Sequence, residues 1–139
     1  MDAIVYLLDT NACIHLLNNT SERVVARFAA ESPATLRLCS AVKAELLFGA
    51  RKSDRIAKVL ASLERFFRPL ASVPFDDECA HEYGLVRADL ERAGTPIGSN
   101  DLMIAAIARC HDLTVVTHNV EEFSRVVGVA IEDWEIPNA

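Results

Sequence analysis

The run Ile4 to Leu8 is apolar without a break and ends at once in Asp9-Thr10-Asn11. Five such residues are too few for a membrane span and show no polar alternation. They suit a strand buried on both faces that feeds directly into a helix start. A chain built on such a strand needs helices on both sides of its sheet.

The rest of the chain repeats that punctuation. Ala12 to Leu17 predicts a helix stopped near Asn18-Asn19, and Ser21 caps an amphipathic helix to about Glu31. Leu36 to Cys39 is a second strand, with Ser40 placed to cap a helix to about Lys52, and Asp54 opens another that ends before Pro69. Val73-Pro74-Phe75 is too short and too proline-marked for a central strand. A helix over 76–93 meets the breakers Gly94-Thr95-Pro96-Ile97-Gly98, and Ser99 caps the next, to about His111. Thr114 to Thr117 and Val129 to Ile131 close the series as strands. Strands alternating with helices, without repeat or linker, make residues 1–139 one α/β domain with a parallel sheet covered on both faces. The site of such a domain lies at the carboxyl ends of its strands.

Composition narrows the function. The 139 residues are 51% hydrophobic, which excludes disorder, and carry a net charge of −6, which excludes a protein that coats nucleic acid by bulk charge. The charge is uneven: residues 1–70 hold ten Lys/Arg against seven Asp/Glu, and residues 71–139 hold four against thirteen. Arg51, Lys52, Arg55, Lys58, Arg65 and Arg68 form one basic run, either a solvated helix face or the place where an anionic partner meets the protein. The four cysteines, Cys13, Cys39, Cys79 and Cys110, lie far apart without metal-binding spacing. They read as small buried hydrophobes in a reducing compartment. With no signal peptide or membrane span, the expectation is a cytoplasmic protein.

The carboxylates carry the chemistry. Asp9 stands at the end of the first strand, where it either caps the next helix or faces a ligand. Glu45 has Ala41 and Val42 one turn behind and Phe48 and Gly49 one turn ahead, with no Lys or Arg in pairing range. A carboxylate on such an apolar face needs a distant partner, a metal or solvent. Asp101 repeats the pattern in the first turn of its helix, where the helix dipole also favours it. Thr117-His118-Asn119 with Glu121 and Glu122 follows the Thr114 strand and reads either as a turn and cap or as a fourth polar group. In a parallel sheet Asp9, Asp101 and Asn119 converge on one edge, with Glu45 leaning in. Clustered acids of this kind suit Mg²⁺ or Mn²⁺ rather than zinc, and such ions serve phosphodiester hydrolysis.

Other chemistries fit less well. The chain lacks a P-loop, a GxGxxG turn and a GxSxG elbow, and Asn11 stands where an aspartyl-phosphate phosphatase needs a second acid. The four histidines form no spaced pair, and His118 alone lies beside the candidate site.

Several segments together carry a resemblance: Tyr6-Leu7-Leu8-Asp9-Thr10-Asn11, then Ala44-Glu45-Leu46 with Gly49-Ala50, then Pro96-Ile97-Gly98-Ser99-Asn100-Asp101 with Ile104-Ala105-Ala106. Val115-Val116-Thr117-His118-Asn119 with Glu122-Phe123, and the stretch Val129 to Trp134, complete it. In order and spacing the chain resembles PIN-domain ribonucleases of the VapC type, the toxin half of a toxin–antitoxin pair. The resemblance implies a PIN-like domain with a mostly parallel sheet of four to five strands flanked by helices. It also implies a Mg²⁺- or Mn²⁺-dependent endoribonuclease, a homodimer, and a VapB-type antitoxin whose tail occupies the site. By position Asp9, Glu45 and Asp101 match the family's metal acids. Asn119 stands where many members have Asp, so either Asn119 or Glu122 completes the catalytic set. Asn11, Arg51, Lys52 and Arg55 are candidate substrate contacts. The pattern looks nearest to members that cut initiator tRNA in the anticodon loop, a route to inhibiting translation. The competing expectation is a non-catalytic RNA- or protein-binding module on the same fold, and a third is a DNA nuclease.

Overall fold

Parallel pairing puts the first strand in the middle of the sheet. The computed structural model of the chain describes residues 3–137. Along it run β1 (Tyr6–Leu8), α1 (Thr10–Asn18), α2 (Glu22–Ala30), β2 (Leu36–Cys39), α3 (Ser40–Lys52) and α4 (Ile56–Phe67). Then follow β3 (Ala71–Val73), α5 (Asp77–Arg92), α6 (Ser99–His111), β4 (Thr114–Val116), α7 (Val120–Phe123) and β5 (Ile131–Glu132). The strand order is β3-β2-β1-β4-β5 and every pairing is parallel. Tyr6 pairs with Leu36 on one side and with Thr114 on the other, so β1 is hydrogen-bonded along both edges and buried throughout.

The strand order reverses direction between β1 and β4. The connections from β1 run outward to β2 and β3, and the chain then returns across the sheet to β4 and β5. A crevice opens at such a switch point, outside the carboxyl ends of the two strands. Asp9 follows β1 directly and Thr117 follows β4 directly.

Several local expectations are corrected. Ser40 and Ser99 are not caps: each is the first residue of its helix, and Cys39 and Gly98 precede them without a side-chain bond. The Ser40 hydroxyl instead accepts from the backbone N–H of Phe75 at 2.9 Å, fastening the end of β3 to the start of α3. The proline-marked segment yields an edge strand that stops one residue short of Pro74, where a missing N–H does no harm. The last strand lies slightly later than the run from Val129 suggests, because Val115 N–H reaches Ala130 O and the ladder starts beyond it. The stop at Asn19 has a visible cause: Asn19 is left-handed, at φ 53°, and its N–H bonds His15 O. Gly94, at φ 72°, makes the corresponding turn after α5.

Cys13, Cys39 and Cys79 are buried as expected, and Cys110 is half-buried. The four are not all isolated, however, because the packing of α5 on α6 brings Cys79 and Cys110 together beside His111. Among the described residues no helix is long and apolar enough to cross a membrane.

Trp134 closes the core beyond β5. It is 2% exposed, meets Tyr6 edge-on at 5.2 Å between centroids, and lies under the Arg27 guanidinium at 5.0 Å. Removing so large a buried ring costs about 3–5 kcal/mol. Trp134→Ala is therefore expected to lower the urea midpoint of unfolding at unchanged slope, measured by far-ultraviolet circular dichroism because the protein's only tryptophan is lost.

Candidate metal centre at the carboxyl edge of the sheet

Only two polar side chains among the described residues are in the buried class, Asp9 at 4% exposure and Thr117 at 1%. Both flank the switch point. Asp9 is held by its own backbone N–H, which bonds Val116 O at 3.1 Å, and by its Oδ1, which accepts from Ala12 N at 2.8 Å. The carboxylate thus caps α1, one of the two roles open to it from sequence. Burial raises its pKa, while the bonds from Ala12 and Thr117 lower it and the charge of Glu135 raises it further.

Asp101 enters from the first turn of α6, half-buried, and Glu122 from α7. Asn119 joins them: its side-chain amide donates to Asp101 Oδ2 at 2.9 Å and also to Glu122 Oε2. Glu122 Oε1 accepts in addition from Gly98 N at 3.3 Å, which ties α7 to the loop before α6. Burial and the Glu122 carboxylate, with a contribution from Asp9, push the Asp101 pKa up to about 7. Glu122 is shifted down, through its hydrogen bond with Asp101 and then through Asn119, Gly98 and Arg125. Asp101 and Glu122 therefore titrate as a pair, with the proton held more tightly than by a free carboxylate. Asn119 is the clamp between two acids, and the negative charge beside it comes from Glu122.

Glu45 stands apart from this cluster. It is exposed on α3 rather than buried on an apolar face. Among the described residues, neither Asp9, Glu45 and Asp101 nor Asp9, Asp101 and Glu122 bring three carboxylates to within 4.8 Å of one another. Glu45 instead lines a groove of about 710 Å³ between α1, α3 and α4, with Ile14, Leu17, Leu46, Val59 and Leu63 as apolar wall and Lys52, Arg55 and Lys58 as basic residues. The basic run divides there: Arg51 is exposed outside the groove, while Arg65 and Arg68 turn to Ser62 and Glu64 on their own helix. Asn11 is exposed at the start of α1.

The sequence names Thr117 and His118 at this end of β4 but not the partners they meet. Thr117 looks like a turn residue, yet its hydroxyl accepts from Asn119 N at 2.9 Å and bonds Asp9, so it couples the two halves of the site. His118, 61% exposed, is paired with Asp133 at 2.8 Å, which raises its pKa, and Glu135 reaches both His118 and His15. No spacing rule links His118 to a residue beyond β5; only the pairing of β4 with β5 does.

The donor set fits a hard divalent cation. Asp9, Asp101 and Glu122 offer oxygen only, and none of them forms an ion pair with Lys or Arg among the described residues. Oxygen donors without a basic partner suit Mg²⁺ or Mn²⁺.

The PIN domain family model matches residues 6–129. The chain is 41% identical over 131 residues to the tRNA(fMet)-specific endonuclease VapC of Salmonella typhimurium, covering 93% of this chain and 97% of the relative. It is 33% identical to Ribonuclease VapC2 of Rickettsia felis, covering 95% and 99%. A solved structure of DNA-bound VapBC from Salmonella typhimurium superposes at a TM-score of 0.88 and 39% identity, over 95% of this chain and 99% of that one.

Because Asp101 binds its proton more tightly in the folded state than unfolded, the stability it contributes to the metal-free fold is lost as pH rises from about 4 through about 7. Asp101→Asn removes that loss. In metal-free protein the variant's melting temperature is expected to gain on the parent's between pH 5 and pH 8. Saturating Mg²⁺ should raise the parent's melting temperature at pH 8 but not the variant's, a gain worth about 2.7 kcal/mol at a hundredfold excess over Kd.

Proposed function

The chain belongs to the PIN-domain family, and from that premise we propose that it is a metal-dependent endoribonuclease, the toxin of a toxin–antitoxin pair, that hydrolyses tRNA. One observation carries the reading: buried Asp9 acts on Asp101, which the Asn119 amide clamps to Glu122, and none of the three acids forms an ion pair with Lys or Arg among the described residues. A binding module gains nothing from bare carboxylates turned toward a polyanion, which favours catalysis over the non-catalytic reading. When bound, Mg²⁺ or Mn²⁺ supplies the positive charge that lets acids meet a phosphodiester and the Lewis acidity that assists attack of water on phosphorus.

The protein's own residues hold and orient. Asp9 is rigid because its cap on α1 and its backbone bond to β4 leave it one position, and Asp101 and Glu122 are spaced by the Asn119 amide. Asp9, Asp101 and Glu45 are the proposed metal ligands, with Glu122 as the further acid and Asn119 as its positioning residue. Glu45 approaches from the groove side, where its exposure leaves it free to swing. The first turn of α6 has no side-chain cap, which leaves its first backbone N–H groups available as phosphate donors.

The groove beside Glu45 supports the partner reading. Its apolar wall suits a VapB-type antitoxin segment, and Lys52 and Arg55, with Lys58 and outlying Arg51, suit the RNA backbone leading to the crevice. An antitoxin seated there blocks RNA entry and catalytic closure of Glu45 together. The Salmonella relative's name points to initiator tRNA as the substrate. A homodimer completes the proposed assembly.

The deciding experiment incubates antitoxin-free protein with total tRNA and single-stranded DNA in Mg²⁺ or Mn²⁺. Cleavage of initiator tRNA alone is expected, abolished by EDTA and by Asp9→Asn or Asp101→Asn. Asn119→Ala is expected to lose about 10–100-fold, as outer-shell positioning residues do. Unchanged cutting by the Asp9 or Asp101 variant overturns the mechanism. Binding without cutting across both metals selects the non-catalytic module.

A further inference from the structure

At the opposite end of α6 from Asp101, three metal-ligating side chains meet. Cys110 and His111 end α6, and Cys79 lies in the first turn of α5, which packs antiparallel beside it. The ligand atoms of Cys79, Cys110 and His111 all lie within 4.8 Å of one another. Cys79 Sγ is 3.7 Å from His111 Nε2. Around a tetrahedral Zn²⁺, with bonds of about 2.3 Å to sulfur and about 2.0 Å to nitrogen, such a pair stands about 3.5 Å apart. The spacing is therefore already that of a metal site.

Glu78 can supply a fourth ligand by turning its exposed side chain, although its carboxylate is not among the atoms that already lie within 4.8 Å of one another. Glu78 Oε2 lies 4.0 Å from Cys110 Sγ. The surrounding field is negative: Asp76, Glu78 and Glu82 all act on Cys110, and Asp76 acts on His111. The carboxyl end of the α6 dipole adds to it. The same field attracts a cation.

We propose that Cys79, Cys110 and His111, with Glu78 as fourth ligand, form a structural site for a soft divalent cation of the zinc type. Two sulfurs and an imidazole select such an ion over the Mg²⁺ or Mn²⁺ suited to the oxygen cluster at the other end of the helix. Binding converts each thiol to a thiolate and releases two protons to solvent. The ion joins the start of α5 to the end of α6. Nine residues of helix, about 13 Å, separate Cys110 from Asp101, so the two sites are distinct.

The test uses the full chain, reduced and freed of metal under anaerobic conditions, titrated with Co²⁺ as a spectroscopic probe. A saturable thiolate-to-cobalt charge-transfer band at one equivalent is expected, displaced by Zn²⁺. The carboxylate cluster has no sulfur and cannot produce that band. Cys110→Ser should reduce its intensity, and His111→Gln should weaken binding by at least about tenfold, with circular dichroism verifying that both half-buried and exposed variants fold. Absence of the band in the parent, or a band unchanged in Cys110→Ser, overturns the proposal. So does a Cys79 to Cys110 disulfide recovered from protein whose free thiols are blocked at lysis.

Discussion

The hydrogen bond from Asp9 N–H to Val116 O, at 3.1 Å, is the last rung between β1 and β4, and the site depends on it. It joins the two strands at the one place where the sheet changes direction. Beyond it the chains must part, because α1 leaves from one strand and the Thr117 turn from the other. The carboxylate of Asp9 is trapped at that parting, too buried to be solvated, and accepts from Ala12 N–H and from the Thr117 hydroxyl. Its cost is met only in part by those bonds. A buried acid without a basic partner is tolerated in a fold where a cation is expected to share the load.

The layering was legible from the chain because it follows from local rules. The run Ile4 to Leu8 does hold a buried strand, though only Tyr6 to Leu8 form it and Ile4 is exposed, and Asp9 and Ser21 each cap the helix that follows. Ser40 and Ser99 misled for a definite reason. A serine before an apolar run is a good cap by type, but type does not say whether the helix begins at the serine or after it. At Ser40 a tertiary bond to Phe75 claimed the hydroxyl.

The site was legible to a different degree residue by residue. Asp9 and Asp101 sit at strand and helix ends that sequence can locate. Glu45 was singled out because its helical neighbours are apolar, an inference that assumed those neighbours face the core. Ala41 and Val42 do face the core, but Phe48 and Gly49 are exposed beside Glu45 and line the groove with it. Asn119 invited comparison with an acid because of where it stands, whereas its amide bridges Asp101 and Glu122. Contacts such as Thr117 with Asp9, His118 with Asp133 and Cys79 with His111 depend on which elements pack together, and spacing along the chain carries no trace of them.

α6 shows how one helix organises opposite chemistries at its two ends. Its first turn carries Asp101, where the amide end of the dipole favours an anion and thereby eases the crowding of carboxylates. Its last turn carries Arg109, Cys110 and His111, where the carbonyl end favours cations. Between them Leu102, Ile104, Ala105, Ile107 and Ala108 are buried, so the helix cannot rotate or slide without exposing core. A displacement at one end must therefore appear at the other. Net charge conceals this arrangement: the −6 of the whole chain sums a basic groove, an acid-lined crevice and an acidic rim around two thiols, and only their separation in space lets each recruit a different partner.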